Sequence, residues 1–196
     1  MKYLPAVFVL AFSGTAWGQA GELWFSFGES IISNSGLGTN QAFGGGPNDF
    51  KLDNGYRFGF RFGFNQGDHF GHEIQYAFNH AQLDIGGTQT GMHFHQGGYN
   101  FLYYLTSDKS KIRPFGTVGL HYDDFVPPGG AINNGSQNKF GANFGGGIKV
   151  HVRGMWAVRL DLREYVTGKP DFGGALAGAS GALWQTEVSA GVGIGF

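Results

Sequence analysis

Residues 55 to 64 read GYRFGFRFGF. Tyr56, Phe58, Phe60, Phe62 and Phe64 share one parity, and Arg57, Gly59, Arg61 and Gly63 share the other. A period of two is the signature of a β-strand, whose successive side chains point to opposite faces. One face here is wholly aromatic and the other carries arginine and glycine. A helix would mix the two sets, so the stretch excludes one.

Similar alternation recurs along the chain. Eight segments show it, at about 22–28, 54–64, 69–80, 92–105, 112–122, 139–152, 155–166 and 184–196. In the seventh, Trp156, Val158, Leu160 and Leu162 oppose Arg159, Asp161 and Arg163. In the eighth, Trp184, Val188, Val192, Ile194 and Phe196 oppose Gln185, Glu187 and three glycines. The fourth is less regular, because Leu102 falls beside Asn100 on the polar face. No helix is predicted beyond residue 20. The connections alternate in length, with "NQGD" and "TSDKSK" set against the long segments 29–53, 123–138 and 167–183.

A soluble barrel with an apolar interior also alternates, so composition must decide which face meets water. A soluble barrel coats its outside with charge, yet only 14% of these 196 residues are charged, against about 25% in an average soluble protein. Glycine is abundant, at 37 residues, and lies on the polar face, where it suits a narrow interior better than a solvated surface. Strict alternation of short and long connections matches transmembrane barrels. Eleven residues at about 3.3 Å each, tilted about 40°, span roughly 27 Å, close to an apolar band of about 25 Å. Only a closed barrel leaves no unpaired backbone edge in lipid. The predicted fold is therefore all-β, an eight-stranded antiparallel up-and-down transmembrane β-barrel.

With the aromatics facing lipid, the other parity faces inward. It holds Arg57, Arg61, Glu73, Lys149, Arg159, Asp161, Arg163 and Glu187. Reversing the faces would put arginines in hydrocarbon at about 2–4 kcal/mol each at mid-depth. Buried charges need partners, so these eight residues are predicted to form one polar network. Eight strands enclose room for side chains and little else, so no open pore is predicted. Glu164 alone has lipid-facing parity, near the outer rim.

The N-terminus, MKYLPAVFVLAFSGTAWGQA, has a basic Lys2, an apolar run too short to span a bilayer, and small residues at 16, 18 and 20. It reads as a signal peptide over residues 1–20, cleaved after Ala20, with Gly18 as the other position. The barrel domain is then 21–196, exported to the cell outer membrane. A formal net charge of −1 gives no reason to expect nucleic acid, and the absence of cysteine excludes disulfides and thiolate sites.

"SAGVGIGF" closes the chain on Phe196 after alternating aliphatic positions. It resembles the C-terminal signal that bacterial outer-membrane proteins present to the barrel-assembly machinery. "IRPFGTVGLHY", "FGANFGGGIKV" and "VRLDLREYVTG" are similar to strands of the small outer-membrane β-barrel family related to the OmpA transmembrane domain. The resemblance implies a Gram-negative outer-membrane protein embedded in lipid that includes lipopolysaccharide. It implies assembly through periplasmic chaperones and the assembly machinery, with Phe196 as the residue read. No cofactor is implied, and the partner of the external loops stays unnamed.

Several stretches invite chemistry. His93 and His95 lie two apart on one face and offer two metal ligands without a third. "HYDDF" sets His121 near Asp123 and Asp124 towards the outer end, as outer-membrane proteases do on ten strands. Lipid A deacylases use a His-x-Ser pattern, and this chain has none. The glycine-rich "GLGTNQAFGGGPND" opens no helix, so it does not read as a phosphate cradle. The leading expectation is a non-enzymatic barrel, structural or presenting external loops. A lipid-modifying enzyme or lipid-binding barrel, and a small passive pore, are the alternatives.

Overall fold

The computed structural model describes residues 21–33, 35–38, 50–128, 136–172 and 179–196. The signal-peptide expectation for residues 1–20 lies outside them. The described chain forms one antiparallel sheet: β1 (Gly21–Ser33), β2 (Gly36–Gly38), β3 (Phe50–Gln66), β4 (Phe70–Ile85), β5 (Thr88–Tyr104), β6 (Ile112–Val126), β7 (Gln137–Arg153), β8 (Trp156–Gly168) and β9 (Ala182–Gly195). Each long strand pairs with its sequence neighbours, and β1 pairs with both β9 and β3, which closes the barrel. The short β2 only adds to β3. Eight strands therefore make the wall, as the alternation predicts.

The register fixes the tilt. Direct partners lead once around the barrel from Leu23 through Phe62, Ile74, Tyr99, Leu120, Ala142, Val166 and Trp184 to Ser33. The path returns to β1 ten residues beyond its start, from 23 to 33. A stagger of that size on eight strands implies a tilt of about 40°, in the usual range for such barrels.

The outside is apolar over one band. Tyr56, Phe58, Phe60 and Phe64 are exposed, as are Val158, Leu160 and Leu162 of β8 and Val188 and Val192 of β9. Aromatics edge the band at both ends. Phe70, Tyr103 and Trp156 lie near the short-turn end, and Tyr56, Phe140 and Trp184 near the other. Ten residues of β8 separate Trp156 from Val166, the partner of Trp184. At about 3.3 Å per residue and a 40° tilt that distance is roughly 25 Å, the height of an outer-membrane apolar band.

Beyond the upper edge the pattern turns inside out. The strands continue, with β4 running to Ile85 and β5 starting at Thr88 around a tight turn at Gly86 and Gly87, both with positive φ. Apolar-outward parity ends these strands at 80 and 92 and leaves a loop between them; a β-hairpin stands there instead. Its inward side chains, Ala81, Leu83, Met92 and Phe94, are apolar and buried. They join Ile32, Leu37, Phe50, Leu52, Phe125, Phe172 and Leu183 in one cluster above the apolar band. Outside the bilayer the barrel meets water, so its apolar residues move to the interior, as in a soluble protein. A register shift between Asp53 and Tyr56 switches the parity of β3 at this level, which brings Phe50 and Leu52 inside.

Candidate functional site

Between the upper apolar cluster and the short-turn end lies the charged interior. Four guanidinium groups and three carboxylates meet there, all buried. Arg159 grips Asp161 with two bonds, Nε to Oδ2 at 2.7 Å and Nη2 to Oδ1 at 2.8 Å, and its Nη1 donates to Glu73 Oε2 at 2.5 Å. Arg163 donates to Glu73 Oε1 at 2.8 Å and to Asp161 Oδ1 at 3.1 Å. Arg61 donates to Glu187 Oε1 at 2.5 Å, and its Nη1 lies 3.4 Å from Asp161. Arg57 Nε stands 3.3 Å from Glu187, and its other nitrogens donate to Gln96 at 2.5 Å and to the Tyr165 hydroxyl at 3.0 Å. Each carboxylate thus faces at least two arginines. Such charge-assisted forks satisfy groups whose isolated burial would be prohibitive.

Seven of the eight predicted residues are in this network. Lys149 is inward, as predicted, but one level lower. It pairs with Glu22 and donates to the Tyr104 hydroxyl at 2.5 Å. Glu22 also accepts from Trp24 Nε1 at 2.9 Å and Asn65 Nδ2 at 2.8 Å. The tilt explains the separation: Lys149 sits near the lower end of β7, level with the start of β1. The Trp24 ring passes so close to Gly193 that a Cβ there would lie 2.5 Å from it, so glycine on this face makes room for large side chains. Leu102, the irregularity in the predicted pattern, packs with Tyr104 and Phe115 in an apolar layer at this lower level.

The charge pattern of the sequence does not single out Tyr165, Gln75, Gln96, Gln185 or Asn79. Tyr165 has the inward parity of Arg163, which marks it. Its hydroxyl donates to Glu187 at 2.8 Å, and its ring meets His121 edge-on at 5.2 Å between centroids. Gln185 donates to Ser30 at 2.7 Å and Asn79 at 2.9 Å, so polar contacts reach up to the apolar cluster.

The chemical candidates separate. His121 and Asp123 point inward and are buried, with Nε2 and Oδ2 3.3 Å apart, whereas Asp124 lies on the outward parity. "HYDDF" therefore does not form one cluster. His93 and His95 point outward at the upper aromatic edge, beside His80, Tyr76 and Phe78. Tyr76 and His95 share a 2.6 Å hydrogen bond. Among the described residues no group of three or more such ligands is placed to hold a metal. Most of the glycine-rich stretch lies outside the described residues. Glu164 has the lipid-facing parity predicted for it and accepts from Thr186 Oγ1 at 2.7 Å. It borders a shallow groove of about 640 Å³ over Gly145, Gly146 and Gly147 on the outer wall.

A closed sheet with an aromatic-edged apolar exterior and a paired charged interior defines an integral outer-membrane β-barrel. The chain belongs to the outer membrane protein beta-barrel domain family, whose model matches residues 5–196. No curated protein matches it. Among solved structures it is similar to Neisserial surface protein A, at 16% identity and a TM-score of 0.61, over 90% of this chain and 99% of that one. It is similar to the N-terminal barrel of Pseudomonas aeruginosa OprF, at 17% identity and a TM-score of 0.57, over 92% and 100%. It is also similar to Ail of Yersinia pestis, solved with a heparin analogue, at 12% identity and a TM-score of 0.56, over 92% and 100%. At these identities the likeness is one of fold.

Proposed function

We propose that this protein is a non-enzymatic, non-conducting outer-membrane barrel that holds a surface outside the cell. The observation that carries the reading is the filling of the interior: an apolar layer above, a paired charged layer in the middle, and below it Leu102, Tyr104 and Phe115 packed beside the Lys149–Glu22 pair. A pore needs an open path through the interior, which these buried side chains fill, and catalysis needs a group that substrate can reach. Ser189 donates to Glu187 at 2.6 Å, but Arg57 and Arg61 already hold that carboxylate and both are buried. What is left to meet a partner is the end that carries the β4–β5 hairpin.

Two measurements test this. In planar lipid bilayers the purified protein is expected to give no steady conductance; stable openings on the nanosiemens scale would make it a pore. On intact cells an impermeant thiol reagent is expected to label Thr88→Cys, at the hairpin tip, and not Ser110→Cys, in the short turn between β5 and β6. The opposite labelling would invert the topology.

A further inference from the structure

At the short-turn end a cleft of about 400 Å³ opens between the β5–β6 turn and the β7–β8 turn. Lys109, Lys111 and Arg153 line it, with His151 at its inner side. Among the described residues none of the three cations has a carboxylate within 4.0 Å. The acidic residue of the cleft, Asp108, accepts from Ser107 Oγ at 3.2 Å. The His151 Nε2 is buried and lacks a hydrogen-bond partner. Elsewhere, each arginine of the central network meets a carboxylate, and at the upper rim Lys51 lies 3.4 Å from Asp53. Three cations against one carboxylate, Asp108, leave the cleft net positive, and with the unused imidazole nitrogen of His151 in its lining it forms a site for an anion.

The surroundings say which anion. The cleft sits directly at the edge of the lipid-facing band, where Ile112, Val152, Met155 and Trp156 are all exposed. A ligand that fills both surfaces carries a negative headgroup and apolar tails. We propose that this cleft binds the phosphate headgroup of an anionic phospholipid, with the acyl chains lying along β6, β7 and β8. The leaflet it would occupy, the periplasmic one, rests on the topology proposed above; the binding itself does not. Basic pockets at membrane edges recognise headgroups by this combination of charge and position.

The probe is dioleoylphosphatidylglycerol in phosphatidylcholine nanodiscs, with bound lipid counted by native mass spectrometry after release. The protein is expected to retain phosphatidylglycerol in preference to phosphatidylcholine. The variant K109Q/K111Q/R153Q is expected to lose that preference by about a hundredfold, and each single substitution by about fivefold. K51Q, at the opposite rim, is expected to change nothing. These side chains are exposed, and far-UV circular dichroism is the check that the variants fold. Equal retention of the two lipids, or undiminished retention by the triple variant, overturns the proposal. Displacement of the lipid by millimolar inorganic phosphate would make the cleft a site for free phosphate and remove the lipid assignment. None of these outcomes depends on which side of the membrane the turns face, so failure here is distinct from failure of the labelling experiment.

Discussion

Replacing Glu73 by glutamine should destabilise the barrel by about 3–5 kcal/mol, the range for removing one partner of a buried ion pair. The side chain keeps its shape and loses its charge. Arg159 and Arg163 both donate to Glu73, and Arg61 Nε lies 3.6 Å from it. After the change, four guanidinium groups share two carboxylates in a buried space. The comparison is Asp108→Asn, an exposed turn substitution expected to stay within about 0.5 kcal/mol. Unfolding free energies in the same lipid vesicles decide the matter. Equal values for the two variants would mean that the arginines relax around a missing charge and that the interior does not depend on charge balance.

Deleting Phe196 should abolish insertion in cells while leaving folding into detergent micelles intact. The backbone contribution of Phe196 is closure, since Gly21 N donates to its carbonyl and its own N–H donates to Gly21 O, each at 2.8 Å. Its side chain is 67% exposed and touches Phe62 at 6.4 Å between ring centroids. Full burial of a phenylalanine contributes about 1.5–3 kcal/mol, so this one contributes only part of that to packing. A total loss of assembly in cells is therefore out of proportion to the packing removed. It would support the resemblance of the terminal residues to an assembly signal. Wild-type levels of the deletion variant in the outer membrane would reduce Phe196 to an ordinary member of the lower aromatic belt.

Parity alone places the seven charged residues of the central network, because a strand offers each side chain only two directions. It does not choose partners. Lys149 meets Glu22 because of a ten-residue stagger around the barrel, and that stagger depends on every pairing together. The β4–β5 hairpin is hidden for another reason. Apolar-outward alternation holds only inside the bilayer. At Ala81 and Leu83 the alternation continues with its faces exchanged, so a strand reads as a loop. The same exchange marks the bilayer edge: on β4 the outward side chains pass from Phe78 to His80. What that end binds is not legible, because a period of two tells which face a side chain takes and not what it meets outside.

The long-range polar contacts of the interior also bear on the order of events during assembly. Arg61 and Asp161 are 100 residues apart, Arg57 and Tyr165 are 108, and Arg61 and Glu187 are 126. Each pair joins strands that are not neighbours in the sheet and that no single hairpin contains. A half-formed sheet of β3 to β6 would hold Arg57 and Arg61 with only Glu73 of the network's three carboxylates, and would leave them without Asp161 and Glu187. Hairpins can pair early through neighbouring strands, but Arg57 and Arg61 meet Glu187 and Asp161 only once β8 and β9 have joined the sheet. Incomplete sheets are thus disfavoured as resting states in the membrane, because their inward arginines lack the carboxylates that β8 and β9 bring.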